Sequence, residues 1–184
     1  MFPRLLVVPS CVFLVCAASA MSADAPPKPA PATAPAACSG PAFAPGARLA
    51  GDWDAVVGER IIGRDVLTSR LQGCAIEEQW TGARGMHGTS LTAFDAAAKR
   101  WRQFWVDDSG TVAALEGAFD GDALVLDGDS NQAGGNSKHV RGTWRPVGCV
   151  EPQGACSIHV LWESQDAQTK AWTTMYEFDL QQHR

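Results

Sequence analysis

The chain has 184 residues and a formal net charge of −5, with 46% hydrophobic and 19% charged residues, 18 Gly, 11 Pro, 7 Trp and 6 Cys. That length suits one domain with a tail, and the apolar fraction excludes wholesale disorder. An acidic balance without a Lys/Arg cluster argues against nucleic acid as the main partner.

Arg4 precedes an apolar run from Leu5 to Ala18, and Ala18-Ser19-Ala20 supplies the small-x-small pattern of a cleavage site. Residues 1–20 therefore read as a secretory signal peptide, cleaved near Ala20. The run is shorter than the ~20 apolar residues of a transmembrane helix. Lipid attachment at Cys16 is disfavoured, because Val15 is branched where that processing uses a small residue. The expected mature protein is periplasmic or secreted, with no transmembrane segment. Loss of Arg4 leaves 14 Lys and Arg against 20 Asp and Glu, a net charge of −6. Residues 21–45 are rich in Ala and Pro. Proline fixes φ and lacks a backbone donor, so this stretch reads as a semi-stiff tether. The folded domain is expected over residues 46–184.

Within that domain, period-two alternation recurs between turn signals, the pattern of many short antiparallel strands. Trp53, Ala55 and Val57 alternate with acidic neighbours. Leu67, Ser69 and Leu71 follow. Cys74, Ile76, Glu78 and Trp80 share one face. A strand over His87–Asp95 comes next, then Trp101, Gln103, Trp105 and Asp107 on one face. Asp108-Ser109-Gly110 and Asp120-Gly121-Asp122 read as turns. Gly128–Ser137 reads as a polar loop. Val140, Gly142 and Trp144 share a face, as do Ile158, Val160 and Trp162. Trp172, Thr174, Tyr176, Phe178 and Leu180 finish the chain. The helical candidate is one turn over Asp95–Arg100. About ten antiparallel strands with short connections point to an all-β meander barrel, because closure removes exposed edges. A sandwich is the second choice. A barrel of that size leaves a cavity unless large side chains fill it.

After cleavage, Cys38, Cys74, Cys149 and Cys156 remain, in a compartment where disulfides persist. Cys149 and Cys156 flank a short hairpin tip and are positioned to meet, which leaves Cys38 to pair with Cys74. There is no C-x-x-C motif, and the spacing suits no common zinc site.

Glu78 is the most informative carboxylate. Between Ile76 and Trp80 on an inward face, it should have a raised pKa, suited to acid–base work. The simpler reading gives it a polar partner or a place at the barrel mouth. Trp101, Gln103 and Trp105 offer two rings flanking an amide, able to hold a flat ligand. The alternative is a Trp-rich core with Gln103 satisfying the indole N–H groups. His87, His139, His159 and His183 form no metal-binding pattern. His139 and His159 become neighbours if their strands pair in register. There is no G-x-S-x-G, and Glu163-Ser164-Gln165-Asp166 reads as a strand end followed by an Asx-type turn.

The blocks from Gly73 to Gly82, Gly88 to Ser90 and Arg100 to Asp107, with Gly51-Asp52-Trp53, Trp162–Asp166 and Trp172, resemble a family of exported bacterial proteins of unknown function. The resemblance spans about Gly51 to Tyr176. It implies a calycin-like barrel, the broad group of lipocalins, fatty-acid-binding proteins and nitrobindins. Barrels of that group hold small hydrophobic molecules or haem in the bore. The family's Trp and Glu positions match Glu78, Trp80, Trp101, Gln103, Trp105 and Trp162. The chain departs from the family at Arg48-Leu49-Ala50, where an aromatic-rich segment is usual.

Together these readings give an exported barrel binding a small apolar or planar ligand through Glu78, Trp80, Trp101, Gln103, Trp105 and Trp162. No metal and no cofactor is expected. The alternatives are an acid–base enzyme, with Glu78 as base and Asp107 as its partner, and an envelope module with a filled core.

Overall fold

The computed structural model describes residue 38 and residues 43–132, 134–149 and 156–184. The expected signal peptide of residues 1–20, most of the 21–45 segment and the tip between Cys149 and Cys156 lie outside the described residues. Ten antiparallel strands follow one another: β1 (Gly51–Val57), β2 (Arg60–Arg70), β3 (Ala75–Gly82), β4 (His87–Asp95), β5 (Arg100–Asp107), β6 (Val112–Asp120), β7 (Ala123–Asn131), β8 (Ser137–Val147), β9 (Ser157–Gln165) and β10 (Trp172–Gln182). Each pairs with its sequence neighbours. β1 also pairs with β10, from Trp53 opposite Gln182 to Val56 opposite Asp179, so the meander closes into a barrel without a free edge. The all-β barrel is therefore the fold, and the sandwich is excluded.

Alternation along the strands sets the inside. Ile76, Glu78, Ser90, Thr92, Trp101, Gln103, Leu115, Leu126, Val140, Trp144, Val160 and Leu180 are all buried. Burial of these apolar chains, at about 25 cal/mol per Å² removed from water, is the main driving force for closure. Some local patterns mislead. A bulge after Ala55 turns Val56 inward and leaves Val57 exposed. Leu71 sits in a short 3-10 turn, Leu71–Gly73, and points to solvent. Gly128 belongs to β7, which continues to Asn131, so the polar loop is shorter than its composition suggests. A second bulge between Thr174 and Tyr176 shifts β10, and Trp172 instead lies under the Arg141 guanidinium, 4.2 Å from the ring centroid.

One end of the barrel is plugged by the helix α1 (Ala44–Leu49). Pro45 takes its first turn, where a missing N–H costs no intrahelical bond. Asp95–Arg100, by contrast, holds a hairpin turn rather than a helix, with Asp95 accepting the N–H groups of Ala97 and Ala98. The Leu49 carbonyl accepts the Trp53 indole N–H at 3.1 Å, and Arg48 pairs with Asp122. Phe43 packs edge-on against Phe94 and Trp101, and Trp101 meets Phe119, with ring centroids 5.0, 6.2 and 5.7 Å apart. The folded unit thus reaches further towards the N-terminus than residue 46: Cys38 is itself buried and bonded to Cys74.

Cys149 and Cys156 form the second disulfide. Replacing both by Ser is expected to lower stability by roughly 2.5 kcal/mol, the loop-closure value for so short a span. Urea unfolding of the oxidised protein and the double variant measures it. Equal midpoints would show that the bridge does not restrict the unfolded chain.

Candidate functional site

The direction of the strands sorts the inward residues into two ends. α1 precedes β1, so the odd-numbered strands begin at the plugged end and finish at the opposite mouth. Trp101, at the start of β5, belongs to the plug cluster and is only 3% exposed. Trp80, Trp105 and Trp162, late in β3, β5 and β9, belong to the mouth. There they are partly buried together with Met175 and Phe178. Trp80 and Phe178 lie 5.9 Å apart, and Trp162 stands edge-on to Trp144 at 5.3 Å.

The wall at the mouth has glycines where rings need space. A Cβ on Gly63 would come within 2.6 Å of the Trp80 ring, and one on Gly88 would collide with Trp105. Each indole therefore lies against the bare backbone of the adjoining strand instead of projecting across the bore. Trp105 is also tied by its N–H to Asp107 Oδ2 at 3.1 Å. Burial pushes the Asp107 carboxyl up. Hydrogen bonds from Ser109, Trp105 and Thr111 outweigh that and hold it below the ordinary value. Asp107 is thus bonded within its own turn, to Ser109 and Thr111, and to Trp105.

Beneath the rings lies a buried polar cluster. Ser90 Oγ donates to Glu78 Oε2 at 2.5 Å, and Gln103 Nε2 donates to Ser90 Oγ at 3.2 Å and towards Glu78 Oε2 at 3.4 Å. These contacts follow from register, because Glu78 stands opposite Ser90 and Thr92 opposite Gln103. The partner missed by sequence reasoning is Asp65. It is 2% exposed and stands opposite Trp80 on β2. Its position two residues before Leu67 was the available signal. Burial pushes Glu78 up to about 7, against the opposing pull of the Ser90 hydroxyl. Burial, and then the charge of Glu78, push Asp65 well above the usual carboxylate range.

Three buried polar atoms here have no partner: Asp65 Oδ1, Gln103 Oε1 and Trp80 Nε1. Towards the plug, Leu49, Leu67, Ile76, Leu124 and Trp144 close in on Glu78, Thr92 and Gln103, leaving a gap of about 10 Å³. That is room for about one water, so the bore below the cluster is filled. A larger groove, about 710 Å³, runs past Asp54, Ile61, Val147 and His183. Neither the mouth indoles nor the buried polar cluster borders it.

The histidines all face carboxylates on the outer side. His87 meets Asp108, His139 meets Asp127 and Asp129, His159 meets Asp179, and His183 meets Asp54. His159 stands opposite Arg145, and His139 opposite Asp129, so the two are not neighbours. Among the described residues no cluster of three or more His, Cys, Asp or Glu is arranged to hold a metal. Asp166 accepts the N–H groups of Gln168 and Thr169, the Asx-type turn expected after Glu163-Ser164-Gln165. No described helix is long and apolar enough to cross a membrane. In comparison with known proteins, no family model matches this chain and no curated protein matches it.

Proposed function

We propose that this is an exported, calycin-like barrel that binds a small apolar or planar molecule at its mouth. The observation that carries the reading is the set of three partly buried indoles, Trp80, Trp105 and Trp162, above a buried polar cluster, at the end opposite the plug. Ring faces offer area for a flat or apolar body, and a few convergent polar groups orient it, the usual composition of a small-molecule site. Glu78 and Gln103 supply the orienting groups. Trp101, sealed in the plug cluster, takes no part. Export rests on the apolar leader with its small-x-small site, and two disulfides fit an oxidising compartment.

The test is titration of the mature chain with N-phenyl-1-naphthylamine, a neutral planar probe, read by its emission and by Trp quenching. Trp105→Ala is expected to weaken binding about tenfold, equivalent to roughly 1.4 kcal/mol. Absence of any probe response, with Trp emission unmoved, would exclude the mouth as a binding site. The acid–base reading is favoured by one observation, the elevation of Glu78 to about 7. Its second group is then Asp65 rather than Asp107.

A further inference from the structure

The polar floor of the barrel has a bias in its hydrogen bonding. Its donors, the Ser90 hydroxyl and the Gln103 amide N–H, are already used within the cluster on Glu78 and Ser90, and they are outnumbered by the oxygens of Asp65, Glu78 and Gln103. Asp65 Oδ1 and Gln103 Oε1 are buried and unpartnered, and the unpartnered donor beside them is the Trp80 indole N–H. The other buried polar residues are Ser90, Thr92 and Ser130, so no basic side chain is buried among the described residues. Two carboxyl groups inside a barrel without a cation are costly to ionise, and each orphaned acceptor adds its own desolvation cost. A ligand that brings N–H donors and positive charge offsets both. One that brings a carboxylate adds to both.

Aromatic faces point to the same chemistry. Trp80 and Trp105 lie one inward position above Glu78 and Gln103, roughly 6–7 Å along the strand. Indole faces attract cations, most strongly where water is excluded. From this geometry we infer that the floor takes the ammonium group of a protonated apolar amine, whose hydrocarbon part lies among Trp80, Trp105 and Phe178. The inference rests on the ligand-binding reading above and narrows its ligand class. The ammonium enters as R–NH3+, donates to Asp65, Glu78 and Gln103, and a carboxyl proton leaves to solvent. The titratable group facing Glu78 is Asp65 of β2. β4 and β5 present Ser90, Thr92 and Gln103, which do not titrate. With Glu78 raised to about 7, the Glu78 proton is released on binding at pH 6 and is largely gone beforehand at pH 8.

Matched probes test this on the mature chain: n-octylammonium, 1-octanol and octanoate, followed by Trp fluorescence and by calorimetry in two buffers of different ionisation enthalpy. Octylammonium is expected to bind at least about tenfold tighter than octanol, with octanoate weakest. It should release close to one proton at pH 6 and markedly less at pH 8. Glu78→Gln and Asp65→Asn should each bring octylammonium to within about threefold of octanol. Circular dichroism confirms that the variants are folded. Octanol binding as tightly as octylammonium would overturn the amine assignment while leaving the mouth a ligand site. So would an ammonium preference that survives in both variants. Silence from all three probes would overturn the ligand reading as well.

Discussion

Replacing Glu78 by Gln is expected to stabilise the barrel by roughly 4 kcal/mol above pH 8 and to leave stability nearly unchanged at pH 4. In the unfolded chain this carboxyl ionises near its ordinary value of ~4.3. In the barrel it keeps its proton up to about 7, because its side chain is buried beneath the mouth rings. Between those two pH values the folded state binds more protons than the unfolded one. Stability of the unmodified protein therefore falls as pH rises through that window, then levels off. Each unit of separation is worth 1.36 kcal/mol, which gives the roughly 4 kcal/mol. Asp65 is raised in the same direction, so it deepens the fall, and Asp65→Asn should act with the same sign. Gln retains an acceptor for the Ser90 hydroxyl, which limits any loss at low pH. Urea unfolding at pH 4, 6 and 8 measures the effect. An advantage for the variant that does not grow with pH would mean that Glu78 ionises like an exposed carboxyl.

The strands were legible because period two is a local property. Ile76, Glu78 and Trp80 sit on one face whatever they pair with, and the same holds for Trp101, Gln103 and Trp105. Closure was legible only as an argument about edges. What the alternation does not carry is register and direction. Asp65 joins the buried polar cluster because β2 pairs with β3 so that it stands opposite Trp80. Taken locally, Gly63-Arg64-Asp65 has the composition of a turn. Bulges leave no mark in a single strand's pattern either, so Trp172 reads as inward until the slip after Thr174 puts it outside. α1 was hidden for a different reason. Pro45 marks the end of an Ala/Pro stretch, and so short a helix gains its stability from tertiary contacts: Leu49 sits in the core, and Phe43 just before the helix packs on Phe94 and Trp101, far away in sequence. The partly open mouth and the sealed plug look alike in sequence. Each is a row of apolar residues at alternate positions, and only the location of α1 separates them.

That separation gives Trp101 and Trp105 opposite expected behaviour, although they are four residues apart on one strand face. Trp101→Ala is expected to lower stability by about 3–5 kcal/mol, the usual range for deleting a fully buried large aromatic. Its ring is the hub of the plug, meeting Phe43, Phe94 and Phe119 at centroid separations of 6.2, 5.6 and 5.7 Å. Edge-to-face contacts of this kind contribute roughly 0.5–1.5 kcal/mol beyond burial. A double-mutant cycle with Phe43→Ala should therefore show positive coupling of about that size, since the two residues share a cavity once either is removed. Trp105 is partly exposed and bounded on one side by the mouth, so its removal leaves a recess open to water rather than a sealed void. Its loss should be felt in probe affinity more than in unfolding. Chemical denaturation and N-phenyl-1-naphthylamine titration of the two single variants read both quantities. If Trp101→Ala unfolds at the same midpoint as the unmodified chain but loses probe binding, the plug and the mouth have been assigned to the wrong ends of the barrel. The ligand would then enter past α1, and Leu49 and Phe43 rather than Trp80 and Phe178 would form its walls.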